Sequence, residues 1–217
     1  MVPDLVKTGR VGIKICGIRT LDDAIRCIDL GADAIGLNFW NKSKRFVSRE
    51  TVESWVDKLD PNVERIGVFV NESYDVITSL VKDGIIHAIQ LHGEEDDSFC
   101  RKFSDEYKII RATGIKDDDS VKRAKNILIE TVLLDAYCGN DFGGLGHTFE
   151  WEYAKMFKLE NPERPIILAG GLCPSNVSRA INDVKPSAVD VASGVENESG
   201  YKDFELLEKF INSVRNF

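Results

Sequence analysis

Long apolar runs are missing from this 217-residue chain. No stretch reaches the roughly 18 to 20 consecutive apolar residues needed to cross a bilayer, so no membrane-spanning helix is expected. The opening MVPDLVKTGR also lacks the apolar core of a secretory signal. Histidine is scarce. His87, His92 and His147 are the only three, too few for a histidine-rich metal centre, and neither a metal nor another cofactor is expected. The five cysteines, Cys16, Cys27, Cys100, Cys138 and Cys173, are odd in number, widely spaced and without a CxxC pair. That pattern excludes a regular disulfide framework and points to reduced thiols in the cytoplasm. A surplus of positive charge is missing too. The net charge of −8 argues against a nucleic-acid partner, although backbone N–H groups can still hold a small anion inside an acidic protein. No linker, low-complexity segment or charge block divides the sequence.

What is present is a regular alternation. In residues 11–17, VGIKICG, Val11, Ile13 and Ile15 alternate with Gly12, Lys14 and Cys16, the period of a β-strand, and Gly17 ends it. The pattern predicts strands at 11–16, 33–39, 65–70, 88–92, 108–113, 131–135, 165–169 and 188–192. Helices are predicted near 20–30, 48–59, 73–82, 94–103, 117–125, 150–157, 174–181 and 204–214. Gly31 closes the first helix, Ser48 caps the second, Asn71 leads into the third, and Pro174 opens the seventh. Strands such as TVLLD and PIILA are continuously apolar, as parallel strands buried on both faces are. Eight strand–helix units favour a single-domain (β/α)8 barrel over an open doubly wound sheet of about five or six strands. Residues 1–10 read as a short leader that could plug the barrel floor, with the barrel itself at 11–217.

In such a barrel the chemistry sits at the C-terminal ends of the strands. Those ends carry Cys16, the NKSKR loop with Arg45, Gln90 and His92, Asp135, Gly170 and Gly171, and Asp190 with Ser193 and Gly194. LAGGLCPSNV and VASGVE each place glycine where backbone N–H groups can face an anion, after the seventh and eighth strands, the usual phosphate site of barrels. Cys16 and Asp135 face a shared mouth as a candidate acid–base pair. Arg45 is either a solvated charge or a clamp for a ligand carboxylate. His92 is either structural or functional. The FGGLGHTF loop after the sixth strand is either a linker or a lid. No exposed apolar helix face stands out, so a monomer is expected rather than a dimer.

The motifs KICGI, GADAIG, SKRF, GVFVN, QLHG, LLDA, GGLGHTFEW, LAGGLCPSNV and VDVASGVE follow in order from about residue 11 to 205. With them the chain resembles the phosphoribosylanthranilate isomerase family of tryptophan biosynthesis. The resemblance implies a cofactor-free Amadori rearrangement. Its substrate would be N-(5-phosphoribosyl)anthranilate and its product 1-(2-carboxyphenylamino)-1-deoxyribulose 5-phosphate. It further implies that Cys16 is the general base, Asp135 the general acid and Arg45 the holder of the anthranilate carboxylate. The turns at Gly170–Gly171 and Ser193–Gly194 would hold phosphate, with Gln90, His92 and Asp190 also lining the substrate site. The chain departs from the family's usual pattern at Arg19, Asn41, Glu150 and Ala192. Ala192 stands where the family often has serine, which leaves one hydroxyl fewer near the phosphate.

Overall fold

A computed structural model describes residues 1–7, 9–136 and 151–217. The strands are β1 (Gly12–Cys16), β2 (Ala34–Asn38), β3 (Glu64–Phe69), β4 (Ala88–Leu91), β5 (Lys108–Ile115), β6 (Thr131–Ala136), β7 (Ile166–Leu168) and β8 (Ala188–Val191). They pair in sequence order and close, β8 beside β1, into an all-parallel barrel. The helices between and after them are α1 (Leu21–Asp29), α2 (Arg49–Glu53), α3 (Tyr74–Lys82), α4 (Asp97–Ser104), α5 (Asp118–Lys125), α6 (Trp151–Glu160), α7 (Val177–Val184) and α8 (Phe204–Arg215). The alternation in the sequence therefore predicts the architecture correctly. The glycine-rich loop, Cys138, His147 and Glu150 lie outside the described residues.

Strand periodicity sorts the side chains. Ile13, Ile15, Val132, Leu134, Val189 and Val191 face outward and pack with helix residues such as Phe157, Ile181 and Phe210. Ala34, Ile66, Ala88, Leu133, Ile167 and Ala188 face inward as a second, smaller core. Leu5 joins that inner core, on a short 3₁₀ turn at Asp4–Val6. Glu64, at the start of β3, fixes the turn by accepting from the backbone N–H groups of Asp4 and Leu5, both at 2.9 Å. Because alternate residues share a face, Lys14 and Cys16 on β1, Gln90 on β4, Asp135 on β6 and Asp190 on β8 all belong to the inward set.

Four local expectations need correction. The helix predicted at 48–59 stops at Glu53 and resumes as a 3₁₀ turn at Val56–Lys58. Val52, Trp55, Val56 and Leu59 are buried at helical spacing, which explains the reading. The Ser54 hydroxyl donates back to the Thr51 carbonyl at 2.7 Å, a bond that competes with helix continuation. Asn71 does not begin α3; Ser73 caps it. Asn71 instead takes a left-handed φ of 54°, and its side-chain oxygen accepts from Glu94 N at 2.8 Å. Glu94 and Glu95 precede α4 rather than start it, because Asp96 is the cap. Pro174 likewise lies in the turn before α7, where Asn176 ties the loop together. Its side chain accepts from Cys173 N and donates to the Gly171 carbonyl, each at 2.9 Å.

Candidate active site

Lys14 is wholly buried inside the barrel and forms an ion pair of 2.9 Å with Asp190. The two are register partners on adjacent strands. Burying two charges is costly, and only close pairing of this kind offsets it. Burial alone would lower the Lys14 pKa; the opposing charges of Asp190 and Cys16 hold it above its ordinary value. Cys16 lies one step nearer the mouth on the same face. Burial, with the Asp190 carboxylate adding to it, pushes the Cys16 thiol up, against the pull of Lys14 and Lys202. Asp190 is thus a partner of Lys14 as well as a mouth residue.

Arg45 does not wait as an open charge. Its Nε and Nη2 donate to the two Glu196 oxygens at 2.6 and 2.7 Å. Nη1 is left without a partner among the described residues. Glu196 also accepts from Lys202 at 3.0 Å. Lys202 in turn donates to the carbonyls of Cys16 at 2.7 Å and Ala192 at 3.2 Å. Two cations against one carboxylate leave a surplus positive charge beside Cys16, and Arg45 presents its free edge from within it. Gly17, at φ 81°, is where the chain passes beneath Arg45; a Cβ there would run into the arginine's Cδ. Glu196 and Lys202 were not among the residues read from sequence as functional. Glu196 lay in view as the last residue of VASGVE, but nothing in the sequence signals that it reaches Arg45, 151 positions away.

Across the mouth, His92 Nε2 stands 3.4 Å from Asp135 Oδ2, and Gln90 Nε2 lies 3.3 Å from His92 Nδ1. Gln90 is buried, and its Oε1 has no partner among the described residues. The loop carrying His92 is held by Arg111, which donates to the carbonyls of Leu91 and Gly93 and pairs with Glu95. The two glycine turns meet at the ends of β7 and β8. Gly170 and Gly171 both adopt positive φ, 86° and 64°. Gly194 sits in a 3₁₀ turn at Ser193–Val195, so close to the Leu172 carbonyl that any Cβ would collide with it. Among the described residues, the N–H groups of Gly171, Ser193 and Gly194 donate to no backbone acceptor. A nest of unspent N–H groups suits an anion such as phosphate. Among the described residues no group of three or more His, Cys, Asp or Glu side chains is placed to hold a metal ion, and no helix is long and apolar enough to cross a membrane.

The mouth therefore joins a thiol, a carboxyl with an imidazole beside it, a cationic clamp and two glycine turns on a (β/α)8 barrel. Fold and mouth together place the chain in the (β/α)8-barrel class, with side chains of the kinds that acid–base chemistry uses and glycine turns that suit an anion. The model of the family described as N-(5'phosphoribosyl)anthranilate (PRA) isomerase matches residues 13–213, and the chain belongs to that family. An N-(5'-phosphoribosyl)anthranilate isomerase of Thermotoga neapolitana is 42% identical over 205 residues, covering 94% of this chain and 98% of the relative. The crystal structure of phosphoribosyl anthranilate isomerase from Thermotoga maritima superposes with a TM-score of 0.89 at 40% identity, covering 95% of this chain and 100% of that one. A structure of the enzyme with reduced 1-(o-carboxyphenylamino)-1-deoxyribulose 5-phosphate gives a TM-score of 0.84 at 37% identity and the same coverage. A further Thermotoga maritima structure, of monomers generated from a dimeric form, is similar to the same degree.

Proposed function

We propose that this chain converts N-(5'-phosphoribosyl)anthranilate into 1-(2-carboxyphenylamino)-1-deoxyribulose 5-phosphate, with Cys16 as base and Asp135 as acid. The observation that carries the assignment is the placing of Cys16 and Asp135 on the inward face of one barrel mouth, at the ends of β1 and β6. Asp135, protonated, donates to the furanose ring oxygen and opens the ring to an iminium ion. The Cys16 thiolate takes the proton from C2, and the enolamine formed becomes the ketone as its hydroxyl proton leaves and C1 gains one. The glycine turns hold the phosphate, and the free edge of Arg45 takes the anthranilate carboxylate. Gln90, whose buried Oε1 meets no donor among the described residues, accepts a hydrogen bond from substrate. His92 holds Asp135 in place, and Asp190 borders the same pocket through its pair with Lys14.

We read the enzyme as a cytoplasmic monomer. The described cysteines, Cys16, Cys27, Cys100 and Cys173, are all free. Exposed large apolar residues such as Ile25, Val76, Leu128 and Leu159 are spread over different elements. Sedimentation as a dimer at micromolar concentration would overturn the monomer.

Fluorescence-monitored turnover tests the chemistry. Cys16→Ala is expected to fold, to bind substrate and to lose about 10²-fold or more in kcat, with a deuterium effect at C2 on the remaining rate. Asp135→Asn is expected to stall at ring opening, with little isotope effect. Normal turnover by Cys16→Ala would make the thiol structural.

A further inference from the structure

A thiol pushed upward by burial is a poor store of thiolate, so the base needs a cation held permanently against it. Three cations lie around Cys16. Lys202, from the segment before α8, is spent on two carbonyls and Glu196. Arg45, from the loop after β2, is spent on Glu196. Lys14 shares the strand and the inward face with Cys16, is wholly buried, and is held by a hydrogen bond to Asp190 while its ammonium also faces the Cys16 sulfur.

Gly36 shows how close the sulfur and the ammonium come. It is the register partner of Cys16 on β2. A Cβ built there would lie 2.8 Å from Cys16 Sγ and 3.0 Å from Lys14 Nζ. Both groups therefore crowd one point, in a gap that only glycine leaves open. A lysine in this position is too deep to reach solvent, and the alternation of β1 leaves it no other direction.

We propose that Lys14 is a positioning residue for the base: its ammonium, anchored by Asp190, is the resident counter-ion of the Cys16 thiolate. The proposal rests on the reading of Cys16 as base. Lys14 moves no proton. It stays charged throughout, balancing Asp190 while the sulfur is a thiol and sharing its charge with the sulfur once the thiol proton has left to solvent. Asp190 has two opposed effects, keeping Lys14 protonated and placing a second negative charge near the sulfur.

Alkylation by iodoacetamide, read at Cys16 by peptide mass mapping across roughly pH 6 to 10 around the ordinary thiol value, tests this without reference to turnover. Cys173, half-buried beside Ser175 on the loop before α7, is the internal standard. Cys27 is silent, its thiol pushed up to about 12 by burial. Lys14→Met is expected to raise the Cys16 midpoint by at least about one pH unit, and to lower kcat about tenfold or more while KM changes less than about threefold. Lys14→Arg is expected to restore most of the midpoint. Lys14→Gln, which keeps a polar end group in the barrel, covers the case in which Lys14→Met fails to fold, and is expected to raise the midpoint in the same way. An unchanged midpoint in Lys14→Met or Lys14→Gln, or a Lys14→Arg indistinguishable from Lys14→Met, would overturn the proposal. Failure of the underlying reading looks different: Cys16→Ala would turn over normally whatever the midpoints did.

Discussion

Arg45 shows how much one residue's role depends on partners the sequence does not advertise. Fully engaged by an acid, a guanidinium is neutralised and adds nothing to ligand binding. Here Glu196 occupies only the Nε–Nη2 side, and Lys202 shares that carboxylate. Burial would lower the Arg45 pKa, but Glu196 holds it above its ordinary value, so the side chain stays charged and oriented. Pre-orientation removes part of the entropic cost of clamping a ligand carboxylate. Arg45→Ala should therefore weaken a carboxylated product analogue by roughly 1.5 to 3 kcal/mol, the worth of a charge-assisted hydrogen bond. Ribulose 5-phosphate, which has no carboxylate, should bind almost as before. Calorimetric titration of both ligands decides: equal losses would assign Arg45 to the phosphate end or to scaffolding.

At the scale of elements, stability and chemistry occupy opposite ends of the barrel. The floor is closed by the Asp4–Val6 turn, with Leu5 buried in the inner core and Glu64 accepting its N–H groups. Leu5→Ala should cost about 2 to 5 kcal/mol in urea unfolding and leave kcat unchanged, since Leu5 lies against Gly12, the first residue of β1, at the end of the strands away from the mouth. A matching fall in kcat would show that floor and mouth are coupled. Strands and helices were legible in the sequence because each is set by its own short-range pattern: alternation for β1, and Ser48 as the cap of α2. The errors fell where a side chain engages backbone groups of a loop, as Ser54 and Asn176 do within their own loops and Asn71 does on the loop after β4. The strand-end residues were legible because the fold assigns them one face and one end. The struts behind them, Lys14–Asp190 and Lys202–Glu196–Arg45, were not, because each joins residues far apart in sequence that only closure of the barrel brings together.

For the whole molecule, closure itself is a set of long-range polar ties, and two of its charged groups give acid stability a definite shape. Arg215, near the chain's end, donates to the carbonyls of Val11 and Gly31 and pairs with Asp33, locking α8 to the first β/α unit. Beside that unit, where β3 and β4 begin, His87 Nε2 faces the Arg65 guanidinium at 2.8 Å. Burial first, then the charges of Arg65 and Lys108, hold His87 below its ordinary 6.5, against a weaker pull from Asp4. The unfolded chain thus binds this proton before the folded one does. The His87 contribution is whole above pH 6.5 and declines as pH falls from there toward the folded value. Glu196 acts lower on the scale. Burial would raise it, but Arg45 and Lys202 hold it below its ordinary 4.5. Its contribution is present above 4.5 and is lost as pH falls through the folded value. Stability against urea should therefore fall in two stages, one starting near pH 6.5 and one below 4.5. His87→Gln, which cannot take a proton, should flatten the first stage and spare the second. If the first stage persisted unchanged in that variant, the titrating group would have to lie elsewhere, and the Arg65–His87 contact would carry no pH dependence.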